Sequence, residues 1–421
     1  MKGLHLKLLG AVALALVTSA SLASAQSITT LDQAIDLALA NEPSVLAARA
    51  GIDRAQAGVD GALAARRGNV RLQGQAAVGS NDYGQGFDLA TPYLISIGYE
   101  RMLWDNRANL AGIEGAKSTR VASEALAALA RSQVRAEVAR AWIDLAVALQ
   151  QVSVAQANVT AIVRFERDAG LQFEAGEVAR SVVAQATARR AQAQADLEQA
   201  DNGVVIAGSE LTRLTGQETP IATLPLTYPA IPISLPDAMS QLGNHPALSA
   251  AYAQIAASRS GVAQAQGRAG PQVVGGVRAV HVRDEFLPKY RNDGLEGYVR
   301  FTAPLWDGGA RSASVAGARA GVSEAEAGRA RIQRSLENGL RQAYAGRATA
   351  QAQVTAAQAM VTAARSALES MDAEFHVGER PMVDLLDARR DLTEAETALL
   401  RARGAFILSH WWIDAALGRG G

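Results

Sequence analysis

The sequence predicts a mostly α-helical chain with a small β part, built from duplicated long antiparallel helical hairpins plus four β-strands. Three observations predict this. Landmarks recur at a shift of 202 residues: Trp104-Asp105 returns as Trp306-Asp307, and Phe173, Gly176 and Glu177 return as Phe375, Gly378 and Glu379. Val138, Leu145, Val152 and Val159 repeat every seven residues, with Trp142, Leu149, Gln156 and Val163 on the adjacent row, which is a heptad seam. Four further runs alternate apolar and polar residues over about ten positions, the length a tilted strand needs to cross a bilayer.

In chain order, residues 1–25 read as a secretory signal peptide. Lys2 and Lys7 form the basic start, an apolar run extends to Val17, and Ala23-Ser24-Ala25 supplies the small-residue cleavage pattern. Residues 26–218 form the first structural repeat, 219–234 a Pro-rich linker and 235–421 the second repeat. Pro220, Pro225, Pro229, Pro232 and Pro236 preclude a helix across the linker. Each repeat opens with a short helix, Leu31 to Asn41 and Leu235 to Asn244, that meets a proline. A second helix follows, to about Ala65 and about Gln266.

The strands come next. Val70, Leu72, Gly74, Ala76 and Val78 alternate with Arg71, Gln73 and Gln75. Tyr93, Ile95, Ile97 and Tyr99 alternate with Leu94, Ser96, Gly98 and Glu100. Leu295, Gly297, Val299, Phe301 and Ala303 alternate with Glu296, Tyr298, Arg300 and Thr302. The run from Val273 to Val282 is mixed, because Arg278 shares a row with Val274 and Val280. Polar, Gly-rich loops are expected at 80–91 and 283–294. Long helices then run from Asn106 to Ala169 and from Ala310 to His376, and each returns, after a Gly-containing turn, to Gly216 or Gly418. A helix of ~65 residues is ~100 Å long, which calls for a rod or a tube. Four strands alone cannot enclose an aqueous lumen, so a membrane barrel built from them requires several chains.

Composition narrows the function. Lys+Arg and Asp+Glu are both 41, which leaves no electrostatic footprint for nucleic acid. The chain has no cysteine, hence no disulfide framework, thiolate metal site, cysteine nucleophile or lipid-anchor motif. His245, His281, His376 and His410 stand apart from one another, and no P-loop, G-x-S-x-G or dinucleotide fingerprint occurs. No catalytic residue, metal site or cofactor is therefore expected. Trp104 and Trp306, directly after strands, suit a membrane interface. Trp411 and Trp412 suit core or subunit packing.

Two local motifs carry a family resemblance. One is Pro304-Leu305-Trp306-Asp307-Gly308-Gly309, just after a strand. The other runs Val377-Gly378-Glu379-Arg380-Pro381-Met382-Val383-Asp384-Leu385-Leu386-Asp387-Ala388. With the duplicated plan, the chain resembles the TolC family of outer-membrane efflux and secretion channels. The resemblance implies a homotrimer with twelve strands in one outer-membrane β-barrel, continued by an α-helical tunnel across the periplasm. It implies a periplasmic adaptor and an inner-membrane pump or ABC transporter as partners. It places Asp384 and Asp387 at the pore constriction, and the two share a helix face by spacing. It makes Arg380 a gate latch reaching toward Arg180, Ser181 and Val182. In this sequence Val182 stands where some members carry an acid, and Phe375 replaces a tyrosine. Gly176, Glu177, Gly378 and Glu379 at the helix tips become adaptor contacts. The alternative is a periplasmic coiled-coil adaptor or structural rod without a membrane barrel.

Overall fold

The computed structural model describes residues 29–82, 87–218, 222–224, 233–284 and 290–419. The expected signal peptide and most of the expected linker lie outside the described residues. Helices α1 (Leu31–Asn41) and α2 (Pro43–Arg67) lead to strand β1 (Asn69–Ala76). A short β2 (Gly79–Asp82) and β3 (Phe87–Ala90) pair before β4 (Tyr93–Trp104). Helices α3 (Ala108–Glu174) and α4 (Arg180–Thr215) form the first long hairpin. The same order then recurs as α5 (Leu235–Gln241) with a 3₁₀ turn (Leu242–Asn244), α6 (Pro246–Arg268), β5 (Gln272–Arg283), β6 (Arg291–Thr302), α7 (Ala310–His376) and α8 (Met382–Ala416).

Local chemistry sets the helix starts. Thr30 and Gln33 close a capping box on α1, and Ser234 caps α5. Pro43 and Pro246 occupy first turns, where a missing N–H is harmless. Helix α3 begins at Ala108, two residues later than the sequence suggests, because Asn106 and Arg107 take left-handed backbone angles, φ 51° and 66°. The loop expected at 80–91 contains the β2–β3 pair, which its composition does not announce. The loop expected at 283–294 is shorter, since β6 already starts at Arg291.

One antiparallel sheet runs β1-β4-β5-β6, and among the described residues the outer edges of β1 and β6 are unpaired. Register places Leu72 opposite Ile97, Ile97 opposite Ala279 and Ala279 opposite Leu295, so the apolar rows of β1, β4 and β6 share one face, with Val277 and Ala279 of β5 between them. Among the described residues nothing covers that face: Leu72 is 71% exposed, Ile97 51% and Leu295 79%.

The helices pack in layers with Ala-rich contacts. Where α1, α3 and α4 meet, Ile35, Val138, Trp142, Leu145, Leu211 and Leu214 are buried together. Trp142 is 3% exposed, and its indole Nε1–H donates to the Thr223 carbonyl at 3.1 Å. The residue 202 positions later does the same at the other end of the inter-repeat segment: Tyr344 Oη donates to the Ile233 carbonyl at 3.0 Å. Trp411 lies against the first cluster, whereas Trp412 stays 41% exposed.

His245 caps α6 and is 2% exposed. Its Nδ1 accepts from the Ala247 N–H at 3.1 Å. Burial pushes its pKa below the ordinary 6.5, against a smaller upward effect from its bond to the Ala415 backbone. The unfolded chain therefore takes up a proton that the folded chain resists. Stability from this residue is fully present above pH ~6.5 and falls as pH drops below that value. Denaturant titrations at pH 8 and pH 5.5 are expected to show a smaller loss in His245→Asn, which keeps a capping acceptor, than in the native chain. An equal loss in both would remove the assignment.

Candidate functional site

Two regions bear on transport, the sheet and the far ends of the helical hairpins. On the sheet, the face opposite the apolar one carries Arg71, Gln73, Ser96, Glu100, Arg278, Glu296, Tyr298 and Arg300. Arg278 pairs with Glu296 across β5 and β6. Tyr298 Oη donates to Glu100 Oε2 at 2.7 Å, reaching across β5, while the Arg300 guanidinium lies 5.3 Å from the Tyr298 ring and 3.7 Å from the same carboxylate. The ring crosses over Gly276, where a Cβ would sit 2.7 Å from the Tyr298 ring. Arg278 belongs to the wet face, and Gly276 is where a neighbouring side chain passes over the backbone. One face thus suits lipid and the other water, the division a membrane barrel requires.

At the other end, each long hairpin turns through the same geometry. Gly176 and Gly378 have φ 78° and 79°, the left-handed conformation that glycine adopts without a Cβ clash. The Glu177 N–H donates to the Gln172 carbonyl at 2.9 Å, and the Glu379 N–H to the Glu374 carbonyl at 2.9 Å. These six-residue closures satisfy carbonyls that the helix ends leave free. All four expected tip residues, Gly176, Glu177, Gly378 and Glu379, are exposed.

The two carboxylates at the expected constriction are half-buried and paired. Asp384 accepts from Arg380 Nη1 at 3.2 Å, and Asp387 accepts from Arg189 Nη2, on α4, at 2.6 Å. Arg380 also donates from Nε to Glu374 at 2.8 Å, and these two carboxylates, Glu374 first, hold its guanidinium above the ordinary range. The latch implied by resemblance would join Arg380 to the segment 180–182. Both acidic partners of Arg380 instead lie on its own hairpin, and Ser181 stays exposed on the other.

What joins the two hairpins near the tips is mainly apolar. Ile162, Ala186, Met382, Leu385 and Leu386 are buried in one cluster, and both Val182 and Phe375 pack against it. The positions that depart from the family pattern serve as filling here. Asn158 Oδ1 on α3 accepts from Arg389 Nε at 3.3 Å and from Thr393 Oγ1 at 3.2 Å on α8. Burial lowers the pKa of Arg389, an effect partly offset by Glu396.

Of the four histidines among the described residues, His281 and His376 meet Asp293 and Asp372, His410 lies 3.3 Å from Asp414, and His245 is the buried cap already described. Among the described residues no group of His, Cys, Asp and Glu is arranged to hold a metal ion.

The profile of the outer membrane efflux protein family matches this chain twice, over residues 34–217 and 239–419. The chain belongs to the outer membrane efflux protein family. A curated relative, outer membrane efflux protein BepC of Brucella suis, is 25% identical over 354 residues, covering 81% of this chain and 76% of its own. Among solved structures, CusC superposes with TM-score 0.83 at 16% identity, covering 93% of this chain and 92% of its own. The Campylobacter jejuni CmeC outer membrane channel gives 0.82 at 18%, covering 92% and 85%. VceC of Vibrio cholerae gives 0.80 at 21%, covering 93% and 96%. These structures share the fold. As a TolC-like member of the efflux family, the chain resides in the outer membrane with its helical part in the periplasm.

Sequence reasoning missed Arg189, the Glu100–Tyr298–Arg300 group and the two anchors of the inter-repeat segment. Trp142 and Tyr344 had a signal, since they are aromatic at the 202-residue shift. The other contacts join residues 198 positions apart, Arg189 to Asp387 and Glu100 to Tyr298, and no local pattern marks them.

Proposed function

We propose that three copies of this chain close twelve strands into one outer-membrane barrel and extend it as a helical exit duct. The duct belongs to a tripartite efflux or type I secretion system. The observation that carries this reading is the sheet: two bare edges, one bare apolar face and one ion-paired polar face. Backbone groups on a bare edge cannot be left unpaired in lipid, so β6 of one copy must meet β1 of the next. A periplasmic rod has no use for such a face. The duct is a passive conduit rather than an enzyme. An adaptor meets it at Gly176, Glu177, Gly378 and Glu379, and an inner-membrane pump or ABC transporter supplies the energy. Gating takes place at the periplasmic tips. There Asp384 and Asp387 line the constriction, and Arg380 braces it within its own hairpin.

The absence of cysteine makes the test clean. Leu72→Cys on β1, combined with Leu295→Cys or Val299→Cys on β6, is expected to give disulfide-linked trimers that collapse on reduction. Within one copy β1 and β6 are three strand spacings apart, ~14 Å, beyond the reach of a disulfide. A chain that stays monomeric and unlinked in outer-membrane extracts would overturn the shared barrel.

A further inference from the structure

We propose that a pocket at the base of the barrel binds the phosphodiester headgroup of an anionic phospholipid from the periplasmic leaflet of the outer membrane. The pocket has a volume of about 510 Å³ and lies where α2 ends, β4 ends and α3 begins. Arg66, Arg101 and Arg107 converge on it, beside Leu103, Trp104 and Leu110. All three arginines are exposed, and among the described residues none lies within ion-pair distance of a carboxylate. The acid in the pocket, Asp105, is occupied by the Asn109 N–H at 2.7 Å. Arg101 follows Tyr93, Ile95, Ile97 and Tyr99 on the same face of β4, so the pocket opens on the lipid side. Tyr99 confirms the side, since its Oη donates to the Arg67 carbonyl at 2.6 Å and so lies along the end of α2. The position is the helix-side end of the strands, hence the periplasmic boundary of the membrane. Exposed Leu103 (57%), Trp104 (48%) and Leu110 (44%) offer apolar contact to the acyl chains below a bound headgroup.

The second repeat shows that the fold does not need two of these arginines. At the 202-residue shift Arg268 stands for Arg66, but Ala303 and Gly309 stand for Arg101 and Arg107. Arg107 holds φ 66° where Gly309 holds φ 93°, so a long side chain occupies a backbone site that suits glycine. Three unpaired guanidiniums in a half-apolar recess at a membrane boundary match the chemistry of a phosphate on a lipid better than that of a soluble anion.

The inference rests on the outer-membrane placement and not on the trimer, so a failed cross-link and a failed lipid test are separate results. The test is native mass spectrometry of the detergent-purified full-length protein, titrated with phosphatidylglycerol, phosphatidylcholine or inorganic phosphate. Phosphatidylglycerol is expected to bind at about one per chain. The variant R66Q/R101A/R107G, which takes two residues from the second repeat, is expected to weaken that binding about a hundredfold, taking a modest gain for each basic residue. R66K/R101K is expected to retain most of it. Undiminished phosphatidylglycerol binding in the triple variant would overturn the site. So would inorganic phosphate competing at equal concentration, which would mark a soluble-anion site instead. Loss of helical signal in the triple variant would shift the decision to R107G alone, which must still weaken binding for the proposal to stand.

Discussion

Trp142→Ala lowers the stability of the helical body by about 3–5 kcal/mol, the range for removing a buried large aromatic. The indole is 3% exposed and sits among Val138, Leu145 and Leu211, so truncation opens a cavity between α1, α3 and α4. It also releases the Thr223 carbonyl. Trp142→Phe separates the two effects. It keeps most of the packing and loses the hydrogen bond, for ~1 kcal/mol. Denaturant unfolding followed by helical circular dichroism measures both. Equal losses in the two variants would mean that the bond to Thr223, and not the packing, is what Trp142 supplies.

The double variant Asp384→Ala, Asp387→Ala reverses the ion preference of the open duct. Around each expected constriction segment stand Arg189 and Arg380 against Glu374, Asp384 and Asp387, a balance of one net negative charge per chain. Removing both aspartates leaves two cations and one anion, so the net charge changes sign. Close rings of charge set the selectivity of a narrow mouth. The native duct is therefore expected to be weakly cation-selective, because each aspartate shares its charge with an arginine, and the double variant anion-selective. Arg189→Ala moves the other way and strengthens cation preference by freeing Asp387. Reversal potentials in a salt gradient across a planar bilayer read all three. An unchanged reversal potential in the double variant would place the constriction elsewhere.

Much of the architecture was legible because it is written in periods. The heptad rows marked α3, the alternation marked the faces of β1, β4 and β6, and the 202-residue shift paired the two long hairpins. Helix ends were legible where a proline or glycine forces them, as at Pro43, Pro246 and Gly378, but α3 runs past the expected Ala169 to Glu174. They were not where a left-handed Asn106 and Arg107 delay a helix, since neither residue type demands that angle. The mouth was half legible. Asp384 and Asp387 share a face by spacing alone. Their arginine partners are different in kind: Arg380 is four residues from Asp384, within reach of a helix rule, whereas Arg189 belongs to another hairpin. The apolar seat of Val182 and Phe375 was likewise hidden, because a departure from a pattern says what is missing and not what fills the space.

The bare edges of β1 and β6 also have a genetic consequence. If neighbouring copies complete this sheet, as proposed, folding in the membrane and assembly become a single event. A subunit with a spoiled edge, for example one with proline in β1, can still offer its intact β6 edge to a healthy copy. It then leaves that barrel open. If the proposed shared barrel forms, alleles of this kind are expected to be dominant in a mixed population, because one faulty chain disables the partners it joins, whereas alleles that prevent export or folding outright are expected to be recessive. Dominance in a merodiploid thus separates edge positions from core positions without any structural measurement.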